Sequence, residues 1–150
     1  MITGIVRTES NGLPCDTCGW IEWLTDGLLA DDFEPYLNDP AELIIPTTLQ
    51  FELYKWAKRE KGEIEALEVI ALTEQGWVIP LTTRLSLYAA DMALQHRLSF
   101  ADAIIYASAR QFDVPLITAD DHFKDLPEVI FFSKKSDSLI NSNTKTPADR

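Results

Sequence analysis

Basic residues are scarce in this 150-residue chain: Lys and Arg number 13 against 24 Asp and Glu, a net charge of -11. That deficit argues against broad, charge-driven binding to nucleic acid, which needs a basic footprint. It favours a metal cation, a basic protein partner, or a nucleic acid gripped at one local basic patch. Long apolar runs are lacking too, and nothing approaches the ~20 residues of a membrane span. The opening MITGIVRTESNG has no basic segment followed by an apolar stretch, so it does not read as a secretory leader. A cytoplasmic location is therefore expected, with no membrane association. Cysteine is limited to Cys15 and Cys18, and in the cytosol both are expected as reduced thiols. What the chain does have is 46% hydrophobic residues, enough for one domain with its own core.

From residue 43 onward short apolar runs alternate with helical periods. ELIIP, WVIPL, VPLIT and EVIFF read as strands. TTLQFELYKWAKREKG reads as a helix capped by Thr47, with Gln50 three residues on and Gly62 beyond its end. EIEALEVIALTEQG is a second helix, ended by Gly76. Leu85, Tyr88, Ala89 and Met92 share one helical face, as do Ala101, Ile104, Ile105, Ser108 and Phe112. DDHFKDL reads as a helical turn. This order predicts an α/β fold with a mainly parallel sheet. TCGWIEWL looks like a short helix, but the strand expected before it carries Pro14, which cannot donate to a sheet ladder. Three segments are expected: an N-terminal extension over residues 1–12, a folded domain over 13–132, and a polar, mostly disordered tail over 133–150.

Among 24 acids, position is the useful discriminator. The C-terminal strand ends of a parallel α/β sheet share one edge, with the following helix N-termini beside it, and ligands bind there. Asp16 closes the expected first strand, Glu52 lies early in the helix after LIIP, Asp102 lies in the first turn of its helix, and Asp120 follows PLIT. All four can reach one edge. Helix N-termini stabilise carboxylates by ~0.3–1 kcal/mol each, yet four clustered anions repel. Such a cluster calls for a cation, and hard oxygen donors suit Mg2+ or Mn2+. Each acid also has a plainer reading. Asp102 fits a capping box with Ser99, Asp120 and Asp121 fit a turn, Glu52 a solvated helix face, and Asp16 an N-cap.

DTCGWIEWL, TTLQFELYKW, LSFADAIIYASAR and LITADDHFKDLPEV together resemble, in order and spacing, the signature segments of the PIN-domain family, and most closely its VapC-like toxin branch. The likeness spans roughly residues 13–132. It implies a three-layer α/β/α sandwich and a Mg2+- or Mn2+-dependent ribonuclease. It places the acidic cluster at Asp16, Glu52, Asp102 and Asp120, with Thr118 as the small hydroxyl residue near the last acid and Asp121 as a neighbour able to replace Asp120. It further implies an RNA substrate, a small antitoxin partner and a homodimer.

In such a site Asp16, Asp102 and Asp120 are the expected metal ligands, and Glu52 binds metal or orients the attacking water. The carboxylates alone do not distinguish RNA from DNA, so the RNA preference comes from the resemblance. Lys55 and Arg59, at i+3 and i+7 from Glu52, are candidates for positioning phosphates. The C-x-x-C pair admits a redox, a zinc or a packing reading. Zinc would need two more ligands, and His96 and His122 do not sit in a metal-ligand spacing. Packing is favoured: Cys15 as a small strand residue, Cys18 at a helix start where the family often has Ser or Asn, with the lowered pKa expected of a thiol there. Rival classes are a non-catalytic PIN-like module that binds RNA or protein, and a receiver-like phospho-acceptor domain.

Overall fold

The computed structural model describes residues 12–134. The extension expected over 1–12 and the tail expected over 133–150 fall outside the described residues, apart from residue 12 and residues 133–134. Six α-helices and four short strands occur among the described residues. They are α1 (Thr17–Leu24), α2 (Ala30–Leu37), β1 (Ile44–Pro46), α3 (Thr47–Lys61), α4 (Glu63–Thr73), β2 (Trp77–Ile79), α5 (Thr83–His96), α6 (Phe100–Gln111), β3 (Leu116–Thr118) and β4 (Val129–Phe131).

β1 pairs with β2 and β3 with β4, both in parallel. Residues 13–15 join the two pairs. Leu13 bridges Leu43 beside β1, and Cys15 bridges Ile117 of β3, again in parallel. The spatial order is therefore β2, β1, residues 13–15, β3, β4. Pro14 lies in the middle of this order. It has no N–H to give, but its carbonyl accepts from Ile117 N at 3.0 Å, and Asp16 N returns a bond to the Ile117 carbonyl at 3.2 Å. The missing donor accounts for a central segment of isolated bridges rather than a longer ladder.

Strand alternation builds the layers. Ile44 and Leu116 belong to the core cluster formed with α5 and α6, while Ile45 and Ile117 belong to the cluster on α1, α2 and α3. Both faces of the sheet are thus covered by helices, as a parallel sheet requires. α6 is the most enclosed helix, buried from Ala103 to Ala109. Its run of small and branched residues lets it lie close against the sheet.

Three local expectations are corrected. Thr47 is the first helical residue of α3 and caps nothing; Pro46 holds the N-cap position without a side-chain bond. Gln50 instead reaches α4 and the residue after it, donating to Thr73 Oγ1 at 3.1 Å and Glu74 Oε1 at 2.8 Å. Gly76 does not end α4, which stops at Thr73. A Cβ on Gly76 would stand 2.8 Å from Ile45 Cγ1 and 2.8 Å from the Pro40 carbonyl, so glycine is needed there for the close approach to β1.

Candidate active site

The four acids singled out by position arrive at the C-terminal edge of the sheet. Asp16 follows the 13–15 segment and caps α1, its Oδ1 accepting from Gly19 N at 3.0 Å. Its Oδ2 accepts from Thr118 Oγ1 at 2.7 Å. Thr118 ends β3, is fully buried, and also accepts from Asp120 N at 2.9 Å. One hydroxyl therefore ties the first acid to the backbone of the last. Asp120 Oδ1 accepts from His122 N at 2.9 Å, capping the 3-10 turn Asp121–Phe123. Asp102 stands in the first turn of α6, with Ser99 Oγ accepting from its N–H at 3.4 Å. Glu52 comes from α3, and its Oε1 accepts from Thr17 Oγ1 at 2.7 Å.

For Asp16 and Asp120 the cap reading and the site reading hold together, whereas Glu52 bonds to Thr17 and lines the cavity instead of standing on a solvated face. Asp16 and Asp120 are caps, and Ser99 caps the helix bearing Asp102, yet all three carboxylates line one cavity of about 250 Å³. Glu52, Cys18 and His122 line it too, with Leu49 and Ile105 as its apolar part.

Two overlapping groups have ligand atoms within 4.8 Å of one another: Asp16, Cys18 and Asp120, and Asp102, Asp120 and His122. Asp120 belongs to both. Glu52 lines the cavity but is in neither group. Asp121 is exposed and also in neither. Lys55 and Arg59 do not line the cavity. Lys55 lies over the Phe51 ring, its Nζ 6.0 Å from the centroid, and Arg59 pairs with Glu60 at 2.9 Å.

The electrostatics of the cavity are those of an anion cluster whose basic neighbour is a histidine. Asp16 is 4% exposed. Burial, helped by the charges of Asp120 and Asp102, raises its carboxyl to about 7 against the lowering effect of the bonds from Thr118 and Gly19. Among the described residues no Lys or Arg pairs with Asp16, Asp102 or Asp120. Among the described residues the basic side chain in contact is His122, its Nδ1 3.1 Å from Asp102 Oδ2 and 3.2 Å from Asp120 Oδ1. Its pKa is raised, first by the bond to Asp102 and then by the charge of Asp120. The donor set fits a divalent cation: three converging carboxylates, one of them buried, with no other strong positive charge beside them.

The cysteines divide. Cys15 is buried in the core beneath α1, against Gly19 and near Phe33. Cys18 is exposed at the cavity wall. Both are free thiols. The lowered pKa expected of Cys18 is corrected: burial of its sulfur and then the charges of Asp16, Asp120, Asp102 and Glu52 push it up to about 12. The helix-terminus effect is outweighed by the carboxylates around it.

His122, set aside on sequence spacing as a metal ligand, is brought within ligand distance of Asp102 and Asp120. Its signal is its place two residues after Asp120, on the turn leaving β3, where a side chain can fold back over the strand end.

A search of curated protein sequences gives no match. Solved structures are similar at low identity. One is a toxin–antitoxin complex from Klebsiella pneumoniae, 20% identical with a TM-score of 0.68, covering 81% of this chain and 99% of that one. A second is a DNA-bound VapBC from Salmonella typhimurium, 13% identical with a TM-score of 0.63, covering 81% and 97%. A third is Mycobacterium tuberculosis VapC20, described as a sarcin–ricin loop cleaving toxin, 19% identical with a TM-score of 0.63, covering 79% and 97%. The PIN domain family model matches residues 15–129. That span runs from the residue before Asp16 through every acid of the cluster to the start of β4, and the chain belongs to the PIN domain family.

Proposed function

We propose that this protein is a divalent-metal-dependent ribonuclease, the toxin of a toxin–antitoxin pair. The observation that carries the reading is the convergence of Asp16, Asp102 and Asp120 from three distant stretches of chain, with Asp16 and Asp120 joined through Thr118. Family membership and likeness to toxin–antitoxin complexes and to a sarcin–ricin loop cleaving toxin support it.

In this reading Asp16, Asp102 and Asp120 hold Mg2+ or Mn2+. When bound, the ion supplies Lewis acidity to the scissile phosphate and to the attacking water. Thr118 fixes the Asp16 carboxylate so that its free lone pairs face the cavity. Glu52, held by Thr17, orients the water and takes its proton at Oε1 or Oε2. Leu49 and Ile105 restrict solvent on the apolar side. No protein nucleophile is required. Lys55 and Arg59 lie further along α3, where they contact the flanking phosphates of a bound strand rather than the reacting one. A homodimer and a small antitoxin with a basic segment complete the assignment. The net charge of -11 makes such a partner complementary, and a cytoplasmic site of action follows.

The test is cleavage of labelled structured RNAs by purified, antitoxin-free protein with Mg2+ or Mn2+. EDTA and Asp102→Asn serve as controls. Cleavage lost in both assigns the chemistry to the acid centre. Cleavage surviving both would remove this site from the reaction, and a folded wild type that cleaves none of the RNAs would favour a binding module.

A further inference from the structure

Two of the side chains around the acid centre are not carboxylates. Cys18, the second residue of α1, places its Sγ in one group with Asp16 and Asp120. His122, on the turn after β3, places an imidazole nitrogen in the other group with Asp102 and Asp120. A sulfur and a nitrogen thus stand at adjacent positions that share one carboxylate. We propose that Cys18 and His122 are metal ligands in this chain, and that they make its centre select transition ions such as Co2+ and Zn2+ over Mg2+. The proposal rests on the metal-centre reading of Asp16, Asp102 and Asp120.

The donor chemistry carries the selectivity. Mg2+ demands oxygen ligands and sheds its waters reluctantly. Imidazole suits Zn2+ and its neighbours in the transition series, and thiolate suits the softer ions. The spacing fits as well. Two donors each about 2.0 Å from one ion, at a tetrahedral angle, lie about 3.3 Å apart. His122 Nδ1 is 3.1 Å from Asp102 Oδ2 and 3.2 Å from Asp120 Oδ1. Cys18 binds as a thiolate: the S–H bond breaks, the sulfur–metal bond forms, and the proton passes to the buffer. His122 is exposed on the cavity rim, so its imidazole can swing onto an ion without disturbing the core.

The test is optical and needs no turnover. The full chain is titrated with Co2+ in excess Mg2+, following the near-ultraviolet thiolate-to-cobalt charge-transfer band and the visible d–d bands. The wild type is expected to show both. Cys18→Ser should lose the charge-transfer band and keep the visible bands. His122→Gln should keep the charge-transfer band and bind Co2+ at least about tenfold more weakly, with Mg2+ affinity little changed. Co2+ binding to wild type without a charge-transfer band, at the same Co2+ to Mg2+ ratio as both variants, would overturn the proposal. If Asp102→Asn still abolished that binding, the acid centre itself would stand. Equal Co2+ binding by wild type and Asp102→Asn would remove the acid centre, and this proposal with it.

Discussion

Thr118 Oγ1 donates to Asp16 Oδ2 at 2.7 Å, joining residues 102 positions apart where two neighbouring parallel segments, residues 13–15 and β3, end. The hydroxyl is fully buried and has no alternative partner in water. Thr118→Val keeps the shape and removes the donor. The buried carboxylate then loses one of its two bonds, at an expected cost of about 1–3 kcal/mol. Thr118→Ser keeps the bond and loses one methyl, at about 1 kcal/mol. Urea unfolding of the two variants should rank them in that order, and Val should weaken Mn2+ binding where Ser does not.

Metal-free protein is expected to lose stability as pH rises from about 4 to about 7. The Asp16 carboxyl is raised from 3.8 to about 7 in the folded state. Over that window the native protein binds more protons than the unfolded chain, so the slope of stability with pH is negative. His122 adds the same sign. Its folded pKa lies above 6.5, so its contribution is full below that value and fades as pH rises through the folded pKa. Saturating Mg2+ or Mn2+ should flatten the curve at neutral pH, because the ion replaces the proton as the counter-charge. Thermal melts across pH with and without metal would show it; identical curves would mean that no ion binds at Asp16.

Asp102→Asn should separate chemistry from folding. The residue is half-buried, and Ser99 caps its N–H whatever the side chain. Unfolding free energy should change by less than about 1 kcal/mol. RNA cleavage should fall by at least about 100-fold, as expected when several kcal/mol of transition-state charge stabilisation is lost. A variant destabilised as much as it is inactivated would return Asp102 to a structural role.

Gly19→Ala probes the packing beneath the site. An added Cβ would stand 2.4 Å from Cys15 Sγ and 2.7 Å from Phe33 Cε1. Both neighbours are in the core, so overpacking should cost about 1–3 kcal/mol. Because Gly19 N is a donor to Asp16, metal affinity should fall along with stability. Calorimetry of Mn2+ binding at a temperature where the variant is fully folded would detect it.

Much of this was legible from strand ends and helix starts. Asp16, Asp102 and Asp120 could be placed because each adjoins a short apolar run whose period identifies the element before or after it. α2 was not legible: ADDFEPYL carries Pro35 inside the helix and two acids in its first turn. It forms because Phe33 and Leu37 are driven into the core beside β1, a tertiary effect that local propensity does not record. The Thr47 cap failed for a different reason. Pro46 ends β1 already in the extended conformation of an N-cap residue, so the chain turns directly from strand to helix. The state of Cys18 was missed because its helix position suggests a stabilised thiolate, while three of the four acids that oppose it, Glu52, Asp102 and Asp120, are remote in sequence.

The central place of residues 13–15 has a consequence for how the chain is born. The segment that occupies the middle of the sheet is made early, but its partner on one side, Ile117, is made about a hundred residues later. Synthesis proceeds at about 5–20 residues per second, so this gap lasts several seconds. Until Thr118 and Asp120 have left the ribosome, Asp16 has only the bond from Gly19 N and lacks both the Thr118 donor and its fellow carboxylate. A nascent chain cannot carry a complete acid centre, and nearly the whole domain must be made before Asp16, Asp102 and Asp120 can meet.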